Sequence, residues 1–356
     1  AQFTSGVLAP LILDRYRLQT IMQTSQASQT ILLLTLTIIT TLTSEHVPLY
    51  GLYGFILLIA FLDGWTVPAR NAMIPRLVDH EQLLRANGLI STVDQSVQMI
   101  GWALGGILVA WLGANTILWL TVGMFLLSTV ALFYIRLRPY HHEQNDHSIR
   151  IWDSLKEGWT CLWKVPQLRV LTMMDVLEGI AAAVWMAAIL LVFVNEVLHK
   201  GEEWWGYINA SYLIGTIVGG VTVLAAAKKL EQRLVLPIVG GMFLSGIFIL
   251  LFVTIHIPVW SLFISALFGP IYQLQAIVKQ TVYQRVVDSR LLPKVLSAQA
   301  AVAYVTFGLS AIGLSSISDQ FGVQSTYYVS AGLTFIGTAI GFFNRKTLVV
   351  QNQENC

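Results

Sequence analysis

Charge is what this chain has least of. Asp, Glu, Lys and Arg together make 11% of its 356 residues, where a soluble domain carries about 25%. So few charged side chains cannot coat a water-facing surface of this size. Cysteine is scarce as well. Cys161 and Cys356 are the only two, which excludes a disulfide framework and gives no metal-ligand spacing. All seven histidines (His46, His80, His141, His142, His147, His199 and His256) fall in polar connecting stretches. No apolar segment therefore holds the parts of a Ser–His dyad or a His-ligated metal. A Gly-rich loop with Lys-Ser/Thr is lacking, which argues against ATP as an energy source. A net charge of +2 is weak ground for nucleic-acid binding. These shortages predict a chain that is not an enzyme, takes no cofactor and no metal, and has no nucleic-acid partner.

What the chain does have is long apolar runs. Hydrophobic residues make 55% of it, and mean hydropathy is +0.67. Crossing a bilayer takes about 20 apolar residues. Segments 21–42, 50–67, 88–111, 115–135, 170–194, 205–227, 235–255, 259–278, 296–318 and 326–344 read as spans, and none contains Lys or Arg. Residues 1–13 have the same character but are too short. They are expected to be the tail of a helix, with one further span before Ala1.

The basic residues set an orientation. If Arg15 and Arg17 lie in a cytoplasmic loop and the segments alternate, 20 of the 21 Lys and Arg fall on that side, with Lys200 alone outside. This asymmetry is the positive-inside pattern. It predicts a multi-pass protein of the plasma (inner) membrane with its basic loops cytoplasmic. The largest loop, 136–169, starts polar and continues with Trp152, Leu155, Trp159 and Leu162 at helical spacing beside Lys156 and Lys164. That pattern predicts a helix lying in the inner membrane interface. A plain linker is the competing reading.

The two sides of that loop repeat each other. GVLAPLILDR from Gly6 matches GVTVLAAAKK from Gly220, NAMIPRLVDHEQLLR from Asn71 matches QTVYQRVVDSRLLPK from Gln280, and GWALGG from Gly101 matches GLSAIG from Gly308. The fold class expected is all-α: a polytopic membrane protein of two pseudo-repeated six-helix bundles, with the first span and part of the second missing. A parallel repeat of this kind is a secondary-transporter architecture. The division expected is residues 1–135 (spans 2–6), a central cytoplasmic loop 136–169, residues 170–344 (spans 7–12) and a cytoplasmic tail 345–356.

Three stretches resemble the major facilitator superfamily, and within it drug:proton antiporters of the macrolide-efflux and siderophore-export type. The first is GVLAPLILDRYR, similar to the loop 2–3 signature, with Gly6, Asp14, Arg15 and Arg17. The second is PARNAMIPRLVDHEQLLRANGL, similar to the loop after span 4, with Pro68, Arg70, Pro75, Asp79, Arg85 and Asn87. The third is GWALGGILVAWLG, similar to the span 5 motif of antiporters, with Gly101, Gly105 and Gly106. The chain departs from these patterns at Leu18, Gln19 and Thr20, where bases are usual, at Trp102, where Pro is usual, and in 50–67, which lacks the Arg of many proton-coupled exporters. The resemblance implies alternating access between two halves. It also implies that Asp14 sits against the inner end of span 11 as part of a cytoplasmic gate, with a simple helix-exit charge as the alternative.

Four acids fall inside the spans: Asp63, Asp94, Asp175 and Glu178. An ionisable group in hydrocarbon costs about 3 kcal/mol or more and usually faces a cavity or a partner. Each is a candidate for carrying a proton or binding a cationic substrate, against a structural hydrogen bond near the interface. Asp175 and Glu178 are three apart and share a helix face, so a shared proton is the expectation. Asp94, Gln98, Gly101 and Gly105 fall on one side of span 5, where the glycines suit helix packing. Trp185, Tyr212, Tyr272, Gln273, Gln275 and Tyr304 are candidates either for a cavity wall or for core. The reading favoured is a monomer in the lipid bilayer that exports a small amphipathic or cationic compound against protons. The alternatives are another cargo (a siderophore, a lipid or a metabolite) or a non-transporting truncated membrane protein.

Overall fold

The computed structural model describes residues 1–13, 16–42, 49–134, 151–185 and 187–349. These residues form helices and no strand. In chain order the helices are α1 (Gln2–Leu13), α2 (Leu18–Leu42), α3 (Leu49–Leu77), α4 (Leu83–Leu112), α5 (Ala114–Tyr134), α6 (Ile151–Lys164), α7 (Pro166–Ala182), α8 (Ala187–Glu196), α9 (Glu203–Glu231), α10 (Val235–Thr254), α11 (Pro258–Val286), α12 (Leu292–Phe321) and α13 (Val323–Phe343). Eight of them are long and apolar enough to cross a membrane, and segments 166–185 and 188–196, bent by 49°, make a ninth. The segment 88–111 lies in α4, a helix of 30 residues. Helix is the form that satisfies every backbone N–H and C=O without water.

The repeat is visible in the helix boundaries. α3 and α11 are both 29 residues long, α4 and α12 both 30, and α5 and α13 both 21. Each pair is displaced by the same 209 positions, as 49 to 258, 83 to 292 and 114 to 323 show. Gly113 and Gly322 close α4 and α12 with φ of 78° and 81°, a left-handed conformation that glycine adopts at little cost. Their amides donate to Val109 and Ser318 carbonyls, both at 2.9 Å.

The described chain packs as two compact units. The first joins Ala1–Asp79, Gly101–Leu162 and Val287–Ala301. Here α1 crosses α3 at Gly64, where a Cβ would lie 2.6 Å from the Cβ of Ser5. Hydroxyls bind α2 to its neighbours: Ser25 Oγ donates to the Leu62 carbonyl at 2.8 Å, and Thr30 and Thr129 share a hydrogen bond of 3.0 Å. A Cβ on Gly6 would lie 3.8 Å from the backbone of Ser297 and Ala301. The helix expected in 136–169 is α6, and it rests on the start of α12. A Cβ on Gly158 would be 2.5 Å from the Lys294 carbonyl, and Lys294 donates to Glu157 at 2.5 Å.

The second unit joins His80–Ile100, Trp163–Val286 and Val302–Cys356. α9 and α11 approach through Gly215, Gly219 and Gly269, as small residues permit in membranes. A Cβ on Gly219 would sit 2.7 Å from the Pro270 carbonyl. Rings of Trp185, Phe193, Phe252 and Tyr327 fill the core, with centroids 4.8–6.0 Å apart. The buried Tyr327 hydroxyl donates to the Val184 carbonyl at 3.1 Å. On α4 the close approach is at Gly88, where a Cβ would lie 3.1 Å from a Val223 methyl. Gly101 and Gly105, expected to be the packing glycines, have no heavy atom within 4 Å of a Cβ position.

The glycines therefore separate by substitution. Gly219→Ala is expected to lower stability by about 1–3 kcal/mol through overpacking. Gly101→Ala is expected to be neutral or to stabilise by up to about 1 kcal/mol through helix propensity. Thermal unfolding of the purified protein in detergent reads both.

Candidate functional site: an acid–lysine cluster between α7 and α11

Three residues one turn apart form a stripe on α11: Gln275, Lys279 and Tyr283. Spacing of four puts them on one face, and that face meets Asp175 and Glu178 of α7. Lys279 Nζ donates to Asp175 Oδ1 at 2.8 Å and also to Glu178 Oε2. Gln275 Nε2 reaches both oxygens of Glu178, at 3.0 and 3.1 Å. The Tyr283 hydroxyl donates to Asp175 Oδ2 at 3.1 Å. Side-chain exposure is 7% for Lys279, 24% for Asp175 and 16% for Glu178. At 1.5 Å per residue, Asp175 lies about 14 Å along α7 and Lys279 about 10 Å from the end of α11.

Charge counting gives this cluster its chemistry. Two ionised carboxylates and one ammonium sum to −1. The expected sharing of a proton by the acid pair is thus modified by a lysine between them. Lys279 was expected in an inside loop, because a charge ends an apolar run and the segment was closed at residue 278. Two signals mark it in the sequence: the Gln275–Lys279–Tyr283 stripe, and the displacement of 209 that pairs Lys279 with Arg70.

The other acids have different settings. Asp63 is half-buried and accepts from Gln2 Nε2 at 3.4 Å. Asp94 and Gln98 are exposed on α4. Asn87, in the motif after span 4, is 5% exposed and donates to Thr281 Oγ1 at 3.0 Å and Gln284 Oε1 at 2.6 Å, which fastens α4 to α11. In the same motif Pro68 is buried, Arg70 and Pro75 are half-buried, and Asp79 and Arg85 are exposed. Arg17 is exposed before α2. Asp14 and Arg15 lie outside the described residues, as do the surroundings of Gly106. Gln275 is fully buried, and the Gln273 amide donates to Ser91. Trp185 stacks on Phe268 at 5.3 Å, and Phe268 on Tyr272 at 5.8 Å. Tyr212 stands 6.3 Å from Tyr272, and Tyr304 is half-buried.

Two arginines that sequence reasoning did not single out play matching parts. In the first unit Arg76 donates to the Ser289 carbonyl at 3.0 Å. In the second, Arg285 donates to the His80 carbonyl at 2.9 Å and pairs with Glu231 at 2.8 Å. Arg76 and Arg285 are 209 positions apart, and so are His80 and Ser289.

Removing the cation should be more harmful than removing the whole cluster. Lys279→Gln is expected to destabilise by about 2–4 kcal/mol, since it strands two half-buried carboxylates. Adding Asp175→Asn and Glu178→Gln should return part of that loss, with a coupling energy of about 1 kcal/mol or more. Denaturation of the four proteins in detergent measures it.

Residues 1–309 match the Major Facilitator Superfamily. YfmI of Bacillus subtilis, described as an uncharacterized MFS-type transporter, is 32% identical over 349 residues, covering 96% of this chain and 84% of its own length. The multidrug efflux pump Tap of Mycolicibacterium fortuitum is 22% identical over 293 residues, covering 80% and 70%. Among solved structures, the human organic anion transporter MFSD10 superposes with a TM-score of 0.80 at 12% identity over 96% of this chain and 80% of that one. The Escherichia coli fucose:proton symporter FucP gives 0.75 at 14% identity over 95% and 87%. The helix pattern, the repeat and these matches agree: the chain belongs to the Major Facilitator Superfamily and is a multi-pass membrane transporter of small molecules.

Proposed function

We propose that this transporter exports a small amphipathic or cationic compound in exchange for protons. The observation that carries the reading is the Asp175–Lys279–Glu178 cluster, in which two half-buried carboxylates meet one buried ammonium. Two carboxylates beside one ammonium form a site that a proton and the cationic group of a substrate can contest, since protonation removes the negative charge that attracts the cation. Competition for one site is the physical basis of exchange: the substrate expels the proton on one side, and the proton expels the substrate on the other. Similarity to the multidrug efflux pump Tap supports export and an amphipathic cargo. Asp94, exposed on α4, and Asp63, held by the Gln2 amide, are the weaker candidates in this reading.

In this reading the protein works as a monomer in the plasma membrane. Its basic loops are cytoplasmic, and the halves 1–135 and 170–344 alternate. Asp14 and Arg15 act at the gate. Release of Arg76 from the Ser289 carbonyl and of Arg285 from the His80 carbonyl accompanies opening of the basic end.

The test uses the full-length protein in proteoliposomes, with tetraphenylphosphonium as the probe cation. An outward cation gradient should drive counter-movement of protons. Glu178→Gln leaves a neutral Lys279–Asp175 pair, so it should abolish both the proton movement and the saturable cation flux, which use the same carboxylates. Normal coupling in both Glu178→Gln and Asp175→Asn would contradict the assignment.

A further inference from the structure

A groove of about 2160 Å³ opens at the basic end of the second unit, away from the acid–lysine cluster. It exceeds the 300–1,000 Å³ of typical small-molecule sites, so it has room for a ligand with long chains. Its walls divide by polarity. One end carries Lys164, Arg233, Arg285 and Arg345 against Glu81 and Glu231, four bases to two acids and a net +2 with His80 neutral. The rest is mostly apolar, with Leu236, Phe243, Phe335 and Phe342 prominent beside Gln167, Gln232 and Thr338. Leu236, Phe243 and Phe342 are 63%, 47% and 52% exposed, while Phe335 is half-buried against the core. From Val235 to Phe243 this wall runs about 12 Å along α10, at 1.5 Å per residue.

The basic end is prepared for an anion. Arg285 is already engaged by Glu231 and the His80 carbonyl. Among the described residues Lys164, Arg233 and Arg345 make no ion pair, and Arg345 lies over the Phe342 ring at 4.9 Å. That places a cation where the polar and apolar walls meet. Lys164 and Arg233 each stand just before an N-cap, Val165 of α7 and Leu234 of α10, and neither helix has a side-chain cap. Both helix starts line the groove, so their amides and dipoles add to its positive field.

We propose that this groove is a binding site for an anionic phospholipid, with the headgroup phosphate at Lys164, Arg233 and Arg345 and the acyl chains along Phe243, Phe335 and Phe342. Basic pockets between membrane helices suit such headgroups. Charge and amphipathic shape together select this occupant over a zwitterionic lipid, which brings no net charge, and over a soluble anion, which leaves the apolar wall uncovered. The inference is independent of the proton-exchange reading.

The experiment is lipid binding to the delipidated full-length protein in detergent, read by native mass spectrometry, with dioleoyl phosphatidylglycerol and dioleoyl phosphatidylcholine as probes. Phosphatidylglycerol is expected to be retained and phosphatidylcholine lost. The Lys164→Gln/Arg233→Gln variant should weaken the anionic lipid about tenfold, about 1.4 kcal/mol. Arg345→Gln, at an exposed position, should weaken it alone. Lys346→Gln, adjacent but outside the groove, should leave it unchanged. Equal retention of the two lipids, or insensitivity to all three groove substitutions, would overturn the proposal. Displacement of phosphatidylglycerol by inorganic phosphate would overturn it too, in favour of a soluble-anion site.

Discussion

A single ammonium group organises the second repeat. Lys279 of α11 binds two carboxylates of α7, and Gln275 and Tyr283 on the same stripe occupy their remaining oxygens. In a low-dielectric interior neither partner is tolerable alone, so the presence of each group fixes the position of the others. The rotation of α7 about its axis follows from this. So does the register of α11, because a one-residue shift would carry Lys279 off the shared face.

Around this cluster the architecture is made from one pattern used twice. The identical lengths of the paired helices, the left-handed glycines at 113 and 322 and the Arg76 and Arg285 bonds recur at one displacement. Glycine packing follows the same logic: Gly6 meets Ser297 and Ala301 of α12, while Gly220 meets Thr92 of α4, and 92 and 301 again differ by 209. Each unit thus joins pieces from both repeats through equivalent close approaches and equivalent hydrogen bonds. The bonds to carbonyls are few and lie at helix ends, where a moving helix can exchange them for water at small net cost.

Much of this was legible in the sequence, and what was missed has a physical cause. Apolar length and the absence of Lys and Arg located the spans, since the bilayer imposes a minimum run. The weak matches at Gly6, Asp79 and Gly101 revealed the repeat, although the structure gives a single displacement of 209 for α3 to α5. Trp159 and Leu162 indicated α6. Asp175 and Glu178 stood out as intraspan acids. Lys279 did not, because a hydropathy reading treats a charge as the end of a span, whereas α11 continues seven residues beyond it. Gly101 and Gly105 were over-read: helical spacing shows which residues share a face, not whether a neighbour covers it. Gly215, Gly219 and Gly269, the glycines that do allow close packing, carry no signal that composition or spacing can separate from the other glycines.

The central claim is that proton and substrate compete for the Asp175 and Glu178 carboxylates. Its most direct measurement is proton release when tetraphenylphosphonium is added to the purified full-length protein in weakly buffered detergent solution. The account predicts release of protons in step with cation binding, and no release from the Asp175→Asn/Glu178→Gln variant. Binding without proton release, or undiminished release from that variant, would contradict it.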